Sequence, residues 1–325
     1  MISAKGSLSG DSSATHIAPL PRQPPQVYAE LPHNHLPHCR CRHRGRPNLG
    51  AMTAGGGAPT APVRRKLPNG MHVFSLNGNE TDYLYREIFS DESYIPPRGW
   101  DVPAKPVILD IGANIGLFTL FAMERWPDAK VFAFEPAPDV FDALRRNTGH
   151  LPHAHAHNVA LGDKDQTREL TYYPNYTMMS GFDADPEVDR GLASAFITSA
   201  ADSLDGELRD EFIIAAEELV DDCLSERQLV RCDVQRVETF AGQAGIDRID
   251  FLKVDVEGFE LRVLQGIGDG LWPAVRNAAI EVADRDGALQ EVLSLLERHG
   301  MSTSVRQAAE YRTSDLHTVF AWRVG

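Results

Sequence analysis

Two patterns of apolar and polar residues alternate along the chain, as is typical of strands that alternate with helices. Short apolar runs predict buried strands, and apolar residues spaced three and four apart predict amphipathic helices. The predicted strands span residues 107–111, 130–134, 155–161, 249–254, 278–282 and 317–322, with one more at Val305. This alternation, closed by a pair of strands, predicts an α/β fold: a seven-stranded, mostly parallel sheet with one reversed strand and helices on both faces.

Two segments depart from the alternation. Residues 1–62 are rich in Pro, Gly and His and lack a sustained period, which predicts a disordered arm. The acidic, helix-prone segment at about 185–230 is long for a connection and predicts a helical lid over a substrate site. Residues 63–325 therefore form one predicted catalytic domain that carries an inserted lid.

Charge divides the chain in the same way. The first 66 residues hold nine basic and two acidic residues, which leaves 23 basic and 44 acidic residues, a net charge of −21, in the rest. An acidic body argues against nucleic acid as a partner, because phosphate binding needs clustered Lys and Arg. No apolar stretch reaches the ~20 residues that a membrane helix needs.

The four cysteines of the chain form no disulfide framework in the sequence, which favours a reducing, cytoplasmic location. Two of them, together with neighbouring histidines, lie in the arm. Their spacing matches no standard zinc pattern, so no metal site is predicted there.

A glycine-bearing turn after the first core strand is the strongest chemical signal. The strand ends at Asp110, and Gly112, Asn114 and Gly116 follow at two-residue spacing. A dinucleotide fingerprint, G-x-G-x-x-G, would cradle pyrophosphate, and two of its three glycines are absent. The pattern instead favours S-adenosylmethionine, which has no phosphate, over a dinucleotide or an ordinary ligand-free turn.

Each residue of this turn has a predicted role. Gly112 lets the backbone approach the ligand, Asn114 tolerates a left-handed conformation, and Gly116 opens the helix. Asp110 is predicted to engage the ammonium group of the cofactor, directly or through water. Glu135, at the end of the second core strand, is predicted to accept both ribose hydroxyls.

Several sequence blocks resemble the FkbM-type family of S-adenosylmethionine-dependent methyltransferases. The blocks that carry the resemblance are residues 67–71, 79–89, 109–118, 134–136, 160–163, 173–174, 179–181, 249–258 and 263–267. The resemblance covers about residue 66 to the end. It implies a Rossmann-like class I methyltransferase fold and methyl transfer to a hydroxyl of a small molecule, a natural-product or sugar intermediate. Carboxyl or nitrogen methylation, and a non-catalytic adenosine-binding protein, are the alternatives.

Carboxylates at strand ends are the candidate catalytic groups. Asp255 and Glu257 are two residues apart and would share one face of a regular strand, and Glu281 lies on the next predicted strand. A close pair of carboxylates tends to keep one protonated, which could make Glu257 a general base. Alternatively, Glu257 accepts backbone amides at the following helix. A divalent metal held by the three carboxylates is a weaker alternative, and we predict no metal.

Three further residues are assigned to the cofactor. Asp163, after the third strand, reaches the adenine amino group or simply caps a turn. Glu80 and Tyr85 are placed on an N-terminal helix across the cofactor mouth, with a structural role equally open. Similar sequences often have a histidine where this chain has Ala283, so a histidine base is not available here.

Overall fold

The computed structural model describes residues 61–96, 100–184, 186–201, 206–307 and 314–323. Its strands are β1 (Val63–Lys66), β2 (His72–Ser75), β3 (Val107–Ile111), β4 (Lys130–Phe134), β5 (Ala154–His157), β6 (Ala160–Gly162), β7 (Gln166–Tyr172), β8 (Gln228–Arg236), β9 (Phe251–Val254), β10 (Asn277–Ala283), β11 (Ser302–Arg306) and β12 (Leu316–Trp322). Its α-helices are α1 (Gly78–Tyr85), α2 (Leu117–Arg125), α3 (Pro138–Thr148), α4 (Pro186–Ala200), α5 (Gly206–Ser225), α6 (Val237–Ala244), α7 (Glu260–Gln265) and α8 (Ala288–Arg298). The predicted arm, apart from its last two residues, lies outside the described residues.

Seven strands form the central sheet in the order β11-β12-β10-β9-β3-β4-β5. Strand β12 runs antiparallel to both of its neighbours, and the pairs from β10 through β9, β3 and β4 to β5 are parallel. The sheet has the predicted composition: seven strands, of which one is reversed. Because β3, β4, β9 and β10 run the same way, their carboxyl ends meet at one edge, where α/β proteins bind ligands.

Helices cover both faces of this sheet, as predicted. Neighbouring residues of a strand point to opposite faces of the sheet. The apolar runs of the core strands therefore contribute side chains to two separate hydrophobic cores. One core joins the sheet to α6, α7 and α8 through Phe240, Leu252, Val263, Ile280, Val292 and Leu296. The other joins it to α1 and α2 through Leu84, Ile108, Leu117, Phe118, Phe251 and Ala279.

The predicted third strand is wrong in one respect. The strand is interrupted after His157, and on the two sides of this break the predicted residues 155–161 belong to two strands in different sheets. Strand β5 ends the central sheet, whereas β6 pairs with β8 in a second sheet of order β6-β8-β7. Asn158 lies at the break and donates its side-chain amide to the carbonyl oxygens of Glu135 and Pro136, at 2.9 and 3.0 Å. These bonds tie the break to the turn after β4.

The long insertion contains more than the predicted helices. Helices α4 and α5 pack on each other through a small apolar cluster that includes Ile197, Ala216 and Val220. The following strand β8, which the sequence analysis missed, pairs with β7 in antiparallel register over seven residues from Gln228 to Val234. Its apolar residues alternate with charged ones, which is the signal of a half-buried strand.

Two further features bear on the predictions from sequence. Cys232 is a free, buried thiol. Within the described ranges, no helix combines the length and the apolar character that a membrane crossing requires.

Candidate active site

The glycine turn after β3 is built by close backbone packing. Gly112 has a φ of +77°, and a Cβ placed on it would lie 1.7 Å from the carbonyl oxygen of Asp255. The amides of Gly112 and Ala113 both donate to the carbonyl oxygen of Phe134, at 3.1 and 2.9 Å. Glycine is therefore required here because the turn touches the end of β9. The predicted reason, close approach to a ligand, is not needed to explain it.

Asn114 and Gly116 complete the turn as predicted. Asn114 has a left-handed backbone, with a φ of +48°. Its side-chain Oδ1 accepts the amide of Ile115 at 2.7 Å, which stabilises that conformation. Gly116 has a φ of +90°, and a Cβ there would lie 2.7 Å from Leu144 of α3. The second glycine thus serves both the turn and the packing of α2 against α3.

Glu135 closes the turn from the side of β4. Its two carboxylate oxygens accept the amides of Asn114, at 3.0 Å, and Ala137, at 2.9 Å. Burial raises the pKa of Glu135 to about 7, against the lowering effect of these two bonds. Each carboxylate oxygen has two acceptor positions, so one position on each oxygen is left for a ribose hydroxyl.

Asp110 is more deeply placed than the sequence suggested. It is completely buried, and its Oδ2 accepts the Thr119 hydroxyl at 2.7 Å. Its Oδ1 lies 3.5 Å from the Nζ of Lys253. Burial raises the pKa of Asp110, and Lys253 opposes this shift. Its contacts are thus interior ones, and the predicted contact with the cofactor ammonium stays a prediction.

Lys253, which the sequence analysis did not assign, is the central cation of the site. It is 3% exposed, in the middle of β9. Its Nζ donates to the carbonyl oxygen of Gly112 at 2.6 Å and lies 3.1 Å from Asp255 Oδ2. Burial lowers its pKa, but Asp255 and Asp110 more than compensate, so the pKa is raised overall. A lysine inside an otherwise apolar strand was the signal that could have identified it.

The three candidate catalytic carboxylates gather at the ends of β9 and β10. Ala279 pairs with Lys253 and Ile280 with Val254, so the next pair along the strands is Glu281 and Asp255. Burial and the charge of Asp255 raise the pKa values of both Glu257 and Glu281 well above the ordinary glutamate range. The structure therefore brings the three predicted residues into one electrostatic group.

The reason given for grouping Asp255 with Glu257 is wrong. Strand β9 ends at Val254, and Glu257 has a left-handed backbone with a φ of +52°, so strand alternation does not extend to it. The alternative role, accepting backbone amides, belongs to Glu260. Its Oε1 accepts the amides of Val256 and Gly258, at 3.2 and 3.0 Å. The side chain of Glu257 is thus not needed for that purpose.

Two residues of the N-terminal segment join this group, and neither was predicted. Tyr94 is buried and donates its hydroxyl to Asp255 Oδ2 at 2.9 Å. Glu87, also buried, contributes to the raised pKa of Glu281, after burial and Asp255. They come from a stretch more than 160 residues before Asp255, and no local pattern marks them.

Glu80 and Tyr85 occupy the predicted helix α1 and point to different neighbours. Glu80 is buried, and its Oε2 accepts the Thr177 hydroxyl at 2.8 Å. Burial raises its pKa to about 7. Tyr85 stacks on Phe89, with ring centroids 5.0 Å apart, and Phe89 meets Phe121 of α2. Glu80 therefore fastens the 177–179 turn, and Tyr85 belongs to the aromatic packing beside α2.

Asp163, the last of the predicted residues, and Asp284 contact other elements of the fold. Asp163 has one oxygen 3.4 Å from Arg262, and its buried Oδ1 has no hydrogen-bond partner. Asp284, beyond Ala283, accepts the amide of Leu289 at 3.2 Å in the first turn of α8. Within the described part of the chain, no group of three or more His, Cys, Asp or Glu residues is arranged to hold a metal ion.

The strand order and the glycine turn with its acidic partner define a class I methyltransferase. The family model for the methyltransferase FkbM domain matches residues 110–302. The chain belongs to this family and is an S-adenosylmethionine-dependent methyltransferase, which confirms the family and the enzyme class expected from the sequence.

Several curated proteins are similar to the chain over most of its length. The 31-O-demethyl-FK506 methyltransferase FkbM of Streptomyces tacrolimicus is 37% identical over 79% of this chain and 96% of its own. Methyltransferase sdnD of Sordaria araneosa is 33% identical over 78% of this chain and 94% of its own. The AMB antimetabolite synthetase AmbE of Pseudomonas aeruginosa is 38% identical over 80% of this chain. The chain spans only 12% of the length of AmbE.

Proposed function

We propose that the protein methylates a hydroxyl oxygen of a small molecule, a natural-product or sugar intermediate. The observation that carries this proposal is the position of Glu257, in a group of carboxylates beside the glycine turn. A glutamate whose pKa is raised above its ordinary range by burial and neighbouring charge is, when ionised, a stronger proton acceptor than an ordinary one. The Streptomyces relative, a 31-O-demethyl-FK506 methyltransferase, is named for the same class of reaction.

The residues around the turn fit an adenosine-containing methyl donor. Glu135 keeps one acceptor position on each oxygen for the ribose, and the unpartnered Oδ1 of Asp163 offers an acceptor for an adenine amino group. The glycine turn provides no phosphate cradle. S-adenosylmethionine supplies an already activated methyl group when it is bound. The protein must then hold the acceptor oxygen in line, and such orientation can be worth ~7–11 kcal/mol.

In this proposal, Glu257 takes the proton of the acceptor hydroxyl. Asp255 and Glu260 place negative charge beside it, which strengthens it as a base. The same charge disfavours a carboxylate acceptor, because like charges at close range repel each other. An amine acceptor needs no such base, since its lone pair is free when it is neutral. The carboxylate group therefore favours hydroxyl methylation over the two alternatives.

We also propose that the insertion forms a wall of the acceptor pocket. Asp189 of α4 adds to the raised pKa of Glu257, after burial, Asp255 and Glu260. The hydroxyl of Tyr173 donates to Asp189 at 3.2 Å. A Cβ on Gly181 would lie 2.8 Å from the carbonyl oxygen of Glu257. These contacts support the predicted position of the insertion over the substrate site.

Calorimetric titration with S-adenosylmethionine and S-adenosylhomocysteine tests the proposed cofactor site. We expect the unmodified protein to bind both, and Glu135→Gln to weaken both by roughly tenfold or more, about 1.4 kcal/mol, because the amide cannot accept two hydroxyls and two backbone amides. Glu124→Gln, on the exposed end of α2, is the matched control and should bind as the unmodified protein does. Equal affinities in all three proteins would contradict the assignment of Glu135.

The acceptor is tested by transfer of an isotope-labelled methyl group to candidate compounds. Hydroxyl-bearing natural products and sugars should become labelled at oxygen, and mass spectrometry of the product identifies the atom. Label on a carboxylate or a nitrogen instead would replace hydroxyl methylation by one of its alternatives.

A further inference from the structure

The ammonium group of Lys253 lies where the glycine turn meets the carboxylate group. An ammonium has three N–H donors. Three oxygens surround this one: the carbonyl of Gly112 at 2.6 Å, Asp255 Oδ2 at 3.1 Å and Asp110 Oδ1 at 3.5 Å. The Tyr94 ring lies beside it, with the Nζ 5.2 Å from the ring centroid. Lys253 is 3% exposed and already contacts Gly112 and Asp255, so it acts through the groups that it holds.

These groups belong to opposite halves of the site. Gly112 belongs to the turn assigned to the methyl donor, and Asp255 belongs to the carboxylates assigned to the acceptor. The two also touch directly, since Gly112 has room for only a hydrogen against the Asp255 carbonyl. A single cation therefore fixes the spacing between the two halves.

Tyr94 completes this arrangement on the side of Asp255. Its hydroxyl and the Lys253 ammonium both contact the same oxygen, Asp255 Oδ2. Within the described residues, the other oxygen of Asp255 has no hydrogen bond, and the side chain is 20% exposed. The carboxylate is thus held by one oxygen and presents the other to the site.

We propose that Lys253 is a positioning residue for methyl transfer, and that it sets the distance and orientation between the methyl-donor turn and the catalytic carboxylates. This inference rests on the proposed function. The competing explanation is that the ion pair has a purely structural role. A buried ion pair of that kind can often be replaced by apolar groups without loss of stability.

The charge of Lys253 has a separate, measurable consequence at Glu281. The titratable groups that face Glu281 are Asp255 and Glu257 after β9, Glu87 and the neutral Tyr94 from the N-terminal segment, and Lys253. Burial, Asp255, Glu87 and Glu257 raise the pKa of Glu281, and Lys253 lowers it. Loss of the lysine charge should therefore raise this pKa further, whereas Asp255→Asn should lower it.

The variants Lys253→Met and Tyr94→Phe test the proposal. For Lys253→Met we expect kcat to fall about 100-fold, the effect of a misplacement of roughly 1 Å, with the Kd for S-adenosylhomocysteine within about fivefold. Tyr94→Phe keeps the buried ring and should lower kcat about threefold to tenfold with an unchanged Kd. Labelling the protein with [δ-¹³C]glutamate allows the titration of Glu281 to be followed by NMR, with its signal assigned by its loss in Glu281→Gln.

The outcomes separate this inference from the proposed function. A normal Glu281 titration and normal kcat in folded Lys253→Met would overturn the positioning role. If Lys253→Met does not fold, normal turnover in Tyr94→Phe, together with an Asp255→Asn protein in which Glu281 titrates as before, would overturn it. Failure of the unmodified protein to bind S-adenosylhomocysteine would instead overturn the proposed cofactor site.

Discussion

Glu257 adopts a conformation that side-chain-bearing residues rarely take. Its φ is +52°, and Gly258 follows with a φ of +89°. A left-handed residue that is not glycine costs roughly 1–3 kcal/mol and persists only where its surroundings hold it. Here Glu260 binds the amides on both sides of Glu257, and Gly181 packs against its carbonyl. The fold thus fixes a strained glutamate beside two other carboxylates, which is typical of a catalytic group.

The first residue-scale prediction concerns this glutamate. Glu257→Gln keeps the size of the side chain and removes its basicity, so we expect kcat to fall by ~10²-fold or more with unchanged binding of S-adenosylhomocysteine. Steady-state kinetics with the labelled methyl donor measures the effect. Asp284→Asn is the matched control, because Asp284 lies at the end of β10 but contacts α8. A Glu257→Gln protein with normal kcat would remove Glu257 from the mechanism.

The sequence could predict only those site residues that a local pattern marks. The left-handed Asn114 and the acid Glu135 were predicted because a strand, a turn and a second strand lie close together in the chain. Tyr94 was missed because its partner Asp255 is 161 residues away. Lys253 has a local signal, its place in an apolar strand, but its partner Gly112 is 141 residues away and could not be predicted. Contacts of this kind depend on strand order, which no single segment encodes.

Helix α1 and its N-cap hold the 173–181 segment, which precedes the insertion. The side-chain amide of Asn77, the N-cap, donates to the Asn175 carbonyl at 3.0 Å, and Glu80 of α1 accepts the Thr177 hydroxyl at 2.8 Å. At its other end this segment packs against Glu257 through Gly181. The N-terminal helix is therefore connected to the proposed base through a short stretch of backbone.

A substitution at Thr177 tests this connection. Thr177→Val keeps the shape of the side chain and leaves the buried Glu80 without its hydroxyl donor, so we expect a loss of about 1–3 kcal/mol in unfolding free energy. Hydrogen exchange at residues 173–181 should become faster. Thr167→Val is the matched control, since it removes an exposed bond to Asp233 of 3.2 Å and should change little. Unchanged hydrogen exchange in Thr177→Val would show that the hydrogen bond between Glu80 and Thr177 does not hold the 173–181 segment.

The predictability of an element depends on whether it is buried within the central sheet. Strands β3, β4, β9 and β10 were predicted to within two residues at each end because both of their faces are apolar. The break after His157 was missed, because apolar residues continue into β6 although the chain changes sheets. Strand β8 was missed beside a helix-prone stretch of acidic residues, where helical spacing concealed the start of the alternation.

At the scale of the whole molecule, buried glutamates make stability depend on pH. Glu80 in α1, Glu135 after β4 and Glu260 in α7 each have a pKa raised to about 7, mainly by burial. A carboxyl with a raised pKa in the folded state binds its proton more tightly there than in the unfolded chain. Its contribution to stability is therefore full below pH 4.5, the ordinary glutamate value, and is lost as the pH rises through about 7.

Three histidines act in the opposite direction. Burial lowers the pKa values of His155, His157 and His299 from the ordinary value of 6.5, so their contribution to stability is lost as the pH falls through that region. Above about pH 6.5 all three are mainly neutral in the folded and the unfolded protein, and the glutamates dominate. The effect of the glutamates on stability is therefore best measured from about pH 6.5 to 8.

Within this pH range we expect the unfolding free energy of the ligand-free protein to fall by at least a few kcal/mol, because the three glutamates contribute in part and the raised pKa values of Glu257 and Glu281 act in the same direction. Urea unfolding at constant ionic strength measures it. Glu80→Gln should make the fall shallower, because the variant has no charge to bury above pH 7, and it should be the more stable protein at pH 8. Asp82→Asn, on the exposed side of the same helix, should keep the full slope. A stability that is flat or rises from pH 6.5 to 8 would show that these carboxyls are solvated in the folded protein, and the electrostatic account of the site would then be wrong.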